Sequence, residues 1–117
     1  MSDIEKLSAL DGYIAMSLVD SSSGLVIESN VQGTFDIEAA SAANTEVVQA
    51  KLRAMRDIGL EDDYIEDILI SLGTQYHLIR PLAAHPDVFV YLALDRSKAN
   101  LAKARIVLKT FENTVKF

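Results

Sequence analysis

Half of the 117 residues are apolar and none is cysteine, which is enough for one hydrophobic core and excludes disulfides, a thiol nucleophile and a thiolate metal site. The net charge of −6 argues against sequence-independent nucleic-acid binding, because neutralising phosphates takes a surplus of Lys and Arg. No apolar run approaches the roughly 20 residues of a membrane-spanning helix, and Ser2 to Asp11 is too polar and too short in apolar run for a signal peptide, so one soluble cytoplasmic domain over 1–117, without membrane insertion, is expected.

Ser2 to Leu10 suits a short helix, with Ser2 as cap, Ile4, Leu7 and Leu10 on one side, and Gly12 ending it. Tyr13 to Val19 is apolar apart from Ser17 and leads through Asp20-Ser21-Ser22-Ser23-Gly24 into Leu25-Val26-Ile27-Glu28-Ser29. Two β-rich runs around a loop ending in Gly predict a hairpin.

Gly33 to Ile58 reads as a long helix capped by Thr34 or Asp36. It carries two apolar stripes. At about 100° per residue, Ala40, Ala43, Val47, Ala50, Ala54 and Ile58 form one, and Ile37, Val48, Leu52 and Met55 a second about 110° round. A helix covering one sheet needs a single stripe. The second asks for another neighbour, and alanines let a partner helix approach closely.

Gly59 stops this helix, and three strands follow: Tyr64 to Leu72, Gln75 to Leu82 and Val88 to Leu94. The runs Tyr13 to Val19 and Val88 to Leu94 are the most continuously apolar and belong at the centre of the sheet, leaving the strands with Glu28 and Asp67 at its edges. An exposed edge is a template for another chain unless something protects it, and Asp67 is the candidate guard. The last helix carries Leu101, Ala104, Leu108, Phe111 and Val115 on one stripe, with Asp95 or Ser97 as cap.

Charge is unevenly spread. From Asp95 onward the chain carries +4 and the remainder −10, with acids concentrated between Asp57 and Asp67. Lys98, Arg105, Lys109 and Lys116 fall on one stripe of the final helix, a candidate surface for a negatively charged partner. The five glycines sit at element boundaries and begin no nucleotide-binding motif, and neither His77 nor His85 has a second ligand at metal spacing. No catalysis, cofactor or metal is expected.

The order helix, hairpin, long helix, three-stranded meander, long helix spans nearly the whole chain. With Gly12-Tyr13-Ile14-Ala15-Met16-Ser17-Leu18-Val19-Asp20, Gly24-Leu25-Val26-Ile27-Glu28-Ser29 and Leu94-Asp95-Arg96-Ser97-Lys98-Ala99-Asn100-Leu101-Ala102, it resembles the roadblock domain of the dynein light chain family, whose bacterial members include MglB-type regulators of Ras-like GTPases. The hairpin loop is longer than the family's Asp-Gly turn. The resemblance implies an α+β sandwich: a five-stranded antiparallel sheet, first and last strands central, one long helix on one face and two helices on the other. It also implies a homodimer through the middle helix and third strand, here Ala40, Ala43, Val47, Ala50 and Ala54 with Tyr64, Ile65, Ile68 and Ile70. The implied function is a non-enzymatic scaffold or regulator that binds a small Ras-like GTPase or assembles a larger complex. The rival reading is a small-molecule sensor of profilin-like or PAS-like architecture, with Tyr76, His77, Arg80 and Tyr91 lining a pocket.

Overall fold

A computed structural model describes residues 3–116. The elements in chain order are α1 (Ile4–Ser8), β1 (Tyr13–Asp20), β2 (Leu25–Val31), α2 (Ile37–Asp57), β3 (Ile68–Ser71), β4 (Gln75–Pro81), β5 (Val88–Asp95) and α3 (Leu101–Glu112). The strands form one antiparallel sheet in the order β2-β1-β5-β4-β3. The two most apolar strands are central, as their composition requires: β5 is buried from Phe89 to Leu94 and β1 from Ala15 to Val19.

Two cores lie on opposite faces. Leu7 of α1 and Ala104, Leu108 and Phe111 of α3 pack with Met16, Leu18, Leu78, Val90 and Leu92 on one. On the other, Ile37 and Val48 of α2 meet Ala15, Val19, Ile79, Phe89 and Tyr91. Alternate residues of each strand serve alternate faces, as the period of two demands.

The caps modify the sequence reading. Ser2 lies outside the described residues, and Asp3 occupies the N-cap of α1 without a side-chain capping bond, its carboxylate lying 3.6 Å from the Lys6 ammonium. Asp36 caps α2 by accepting from the Ala39 N–H at 3.1 Å, so that helix begins at Ile37 rather than Gly33. Its far end closes by bonds from the Gly59 N–H to Arg56 O and from the Leu60 N–H to Met55 O, a geometry that needs φ +81° at Gly59. The cap of α3 is Asn100, accepting from the Lys103 N–H at 3.1 Å. Asp95 and Ser97 do not cap it. The Asp95 carboxylate instead accepts from the Ser97 N–H and hydroxyl at 2.9 and 2.7 Å, closing a local turn ahead of the helix.

The third strand is shorter than expected, four residues against a predicted Tyr64 to Leu72. The Asp63 carboxylate takes the Tyr64 N–H at 2.8 Å, and such local bonds compete with a ladder. Leu72 already belongs to the turn, where its N–H donates to Gln75 O.

Among the described residues no helix is long and apolar enough to cross a membrane, and no group of three or more His, Asp or Glu could hold a metal ion.

Candidate functional site

The seat of α2 on the sheet is more polar than its apolar periodicity suggests. Ser41, Asn44 and Thr45 are buried beside Ile37, Val48 and Met55, whereas Leu52, on the same apolar stripe as those three, is 38 % exposed. Each buried polar group is satisfied. Ser41 donates to Ile37 O at 2.6 Å and so accepts from the Ser17 hydroxyl at 2.9 Å, Thr45 donates to Ser41 O at 2.9 Å, and Asn44 bonds the Tyr91 hydroxyl. The signal in the sequence was Ser17, the one polar residue of an apolar strand, which needs a polar counterpart above it.

The alanine stripe turns away from this seat. Ala43, Ala50 and Ala54 are exposed, Ile58 is 66 % exposed, and Ala40 and Val47 are half-buried at the rim of the α2 core. Because α2 rests on β1 and β2, the same sheet face is thinly covered over β3 and β4. Ile68 and Ile70 are half-buried there, with Phe35 and His77 beside them. A groove of about 290 Å³ separates Lys51 and Met55 from Leu60, Tyr64 and Ile68. Leu60 and Tyr64 are 43 % and 76 % exposed. Of the residues singled out, Ala40, Val47, Ile68 and Ile70 pack at the rim of one core, while Tyr64 and Ile65 lie on the irregular segment before β3 rather than in the strand.

The basic stripe does not survive intact. Lys98 sits in the turn before α3 and Lys116 beyond its end, because Asn100 and Asn113 delimit the helix. Arg105 holds Asp67 through two contacts at 3.1 and 3.3 Å, joining α3 to the approach of β3. Lys109 shares a groove of about 380 Å³ with Ile106, Arg80, Arg105, Glu66 and Asp67, so acids and bases alternate there. Asp67 is anchored to α3 and does not stand guard along the strand edge.

The four pocket candidates are separated by the sheet. Tyr76 lies on the α1/α3 face with Arg96 stacked 5.1 Å from its ring centre, and Arg80 on that face pairs with Glu112. His77 and Tyr91 lie on the α2 face, with Tyr91 wholly buried. No common cavity gathers all four.

No protein-family model matches the sequence, and no curated protein matches it significantly. Solved structures do. A Roadblock/LC7 domain from Streptomyces avermitilis superposes with a TM-score of 0.78 at 12 % identity, over 95 % of this chain and 88 % of that one. The gliding protein MglB from Thermus thermophilus gives 0.79 at 13 % identity, over 95 % and 81 %. MglB from Myxococcus xanthus gives 0.74 at 16 % identity, over 87 % and 79 %. The strand order, the single long helix on one face and the helix pair on the other are those of these proteins, and the chain has the Roadblock/LC7 fold.

Proposed function

We propose that this chain, a single domain of the cytoplasm, is a non-enzymatic regulator or scaffold that acts as a homodimer and docks a small Ras-like GTPase or a scaffold protein. The observation that carries the reading is an apolar strip. A 21-residue helix exposes Ala43, Ala50 and Ala54 beside a sheet face whose Ile68 and Ile70 are only half covered, and that strip ends at the edge strand β3. Small residues on a helix permit close approach of a second helix, and an adjoining strand edge can extend its ladder across a two-fold axis. The pairing surface is Ala40, Ala43, Val47, Ala50 and Ala54 with Ile68 and Ile70, flanked by Tyr64 and Ile65. The docking of a negatively charged partner falls to Lys109 on α3 with Lys98 and Lys116 at its two ends, while Arg105 serves mainly to hold Asp67. The GTPase assignment follows the resemblance of the sequence to roadblock regulators.

Ala43→Glu with Ala50→Glu tests the pairing. Both positions are exposed in the single chain, so circular dichroism should be unchanged, while the doubled carboxylates should convert dimer to monomer in light scattering. A wild-type chain that is monomeric at high micromolar concentration overturns the reading. Binding is tested by titrating Ras-like GTPases encoded near this gene and following nucleotide hydrolysis. No binding by any of them removes the GTPase from the proposal.

A further inference from the structure

The α2 face of the sheet carries one imidazole, the side chain whose ordinary pKa lies closest to neutral. His77 stands opposite Ile70 on β3 and Ala93 on β5, so its ring is inlaid in the sheet face that α2 leaves thinly covered. The ring meets Phe35 and Tyr91 edge-on, with centres 6.4 and 5.3 Å away. Nε2 lies 2.7 Å from Gln75 Oε1, and the Tyr91 hydroxyl lies 3.3 Å from Nδ1 and 3.4 Å from Nε2. A neutral imidazole fits this set, donating from Nε2 and accepting at Nδ1.

An imidazolium would keep both partners, because the Tyr91 hydroxyl also accepts, but it would find no counter-charge beside it. From β3 the ring meets Ile70, from β5 Ala93 and Tyr91, from its own strand Gln75, and from the lead-in to α2 Phe35. Tyr91 is the one other titratable group in contact, and burial pushes its phenol up to about 12, so it stays neutral. The charges toward α2 are Asp36, next to Phe35, whose carboxylate caps the helix, and Lys51, which borders the groove at Ile68 with the same sign as an imidazolium. Among the described residues none of the ion pairs includes His77.

We propose that His77 makes the pairing of two copies through this face pH-dependent, the neutral ring being sealed under the second copy and the protonated ring driving the copies apart. The inference rests on the homodimer reading and adds its regulation. Partial burial already holds the imidazole below its ordinary range, and a second copy would remove its remaining water. The dimer then binds fewer protons than the separated chains, so association weakens as pH falls. With one His77 per chain, the dissociation constant rises by at most about a hundredfold per pH unit, in the interval between the two states' pKa values.

Sedimentation equilibrium of the full chain at pH 7.5 and 5.8, above the titration range of ordinary carboxylates, is the test. The dissociation constant should rise severalfold, roughly threefold or more, for the wild type and for His85→Gln, and change less than about twofold for His77→Gln. Because His77→Gln could disturb the strand, the imidazole resonances of the wild type supply a second readout. The His77 pKa should be lower at concentrations that favour dimer than at those that favour monomer. A dimer of equal affinity at both pH values, or a His77 pKa independent of concentration, overturns the proposal and leaves the dimer standing. A monomer at pH 7.5 overturns both.

Discussion

Glu112 should be the most sensitive single polar position on the α3 face. Its Oε1 accepts from Arg80 Nε at 2.7 Å and its Oε2 from the Ala83 N–H at 2.6 Å, so the last turn of α3 is clamped to β4 and to the loop beyond. The Arg80 and Glu112 side chains are only 13 % and 11 % exposed. Removing one partner of a buried pair costs about 3–5 kcal/mol because the other charge is left without compensation, and residual contact with water lowers that here. Loss of the amide's charged acceptor acts in the other direction. Together these give about 3 kcal/mol for Glu112→Ala, which at about 4 °C per kcal/mol for a chain of this size is a fall of about 12 °C in Tm. Urea unfolding followed by circular dichroism measures the free energy directly. Adding Arg80→Met should recover roughly half of the loss, since an apolar pair of similar volume needs no compensation. A cost below about 1 kcal/mol for Glu112→Ala, or strictly additive effects in the double variant, would refute this account of the clamp.

Gly12→Ala should destabilise by about 2 kcal/mol or more in the same assay, because φ is +79° there and an added Cβ would stand 2.7 Å from Asp95 O. Ser41→Ala should cost about 1–2 kcal/mol by orphaning the buried Ser17 hydroxyl, and Ser17→Ala combined with Ser41→Ala should cost less than the sum of the two single effects, as a double-mutant cycle would show.

The centre of the sheet was legible because burial on both faces leaves a nearly continuous apolar run, complete in β5 and interrupted in β1 only by Ser17. The long helix was legible for the same reason in its own period. Its orientation was legible only in part. Apolar periodicity grouped Leu52 with Ile37, Val48 and Met55 and was silent on Ser41, Asn44 and Thr45, since periodicity measures oil and these three are held by hydrogen bonds to Ser17, Tyr91 and the helix backbone. The start of α3 was misplaced because Asp95, Ser97 and Asn100 are all capping residues. Which one caps depends on where the turn after β5 closes, and Asp95 closes it on Ser97. The basic stripe was read on an uninterrupted helix from Lys98 to Lys116. Arg105 was counted as available because nothing in a linear sequence brings Asp67 to it, 38 residues away.

The two edges of the sheet differ in a way that bears on which one can accept another chain. β2 is the longer, seven residues, and exposes Leu25 and Ile27 at 69 % and 48 %. On length and oil alone it would be the better template. Yet its register with β1 jumps between Leu18 and Val19, leaving Ile27 as an extra residue with no partner. Such a bulge bends and twists a strand and interrupts the straight row of donors and acceptors that a second chain would need. β3 has no such defect. Its four residues run in unbroken register with Ile79, Leu78, His77 and Tyr76 of β4, so its outer edge is short but regular. The acid that could have repelled a neighbour, Asp67, is drawn off by Arg105. Geometry thus guards the long edge while the short one stays regular, and this asymmetry favours β3 over β2 as the seam of the proposed dimer.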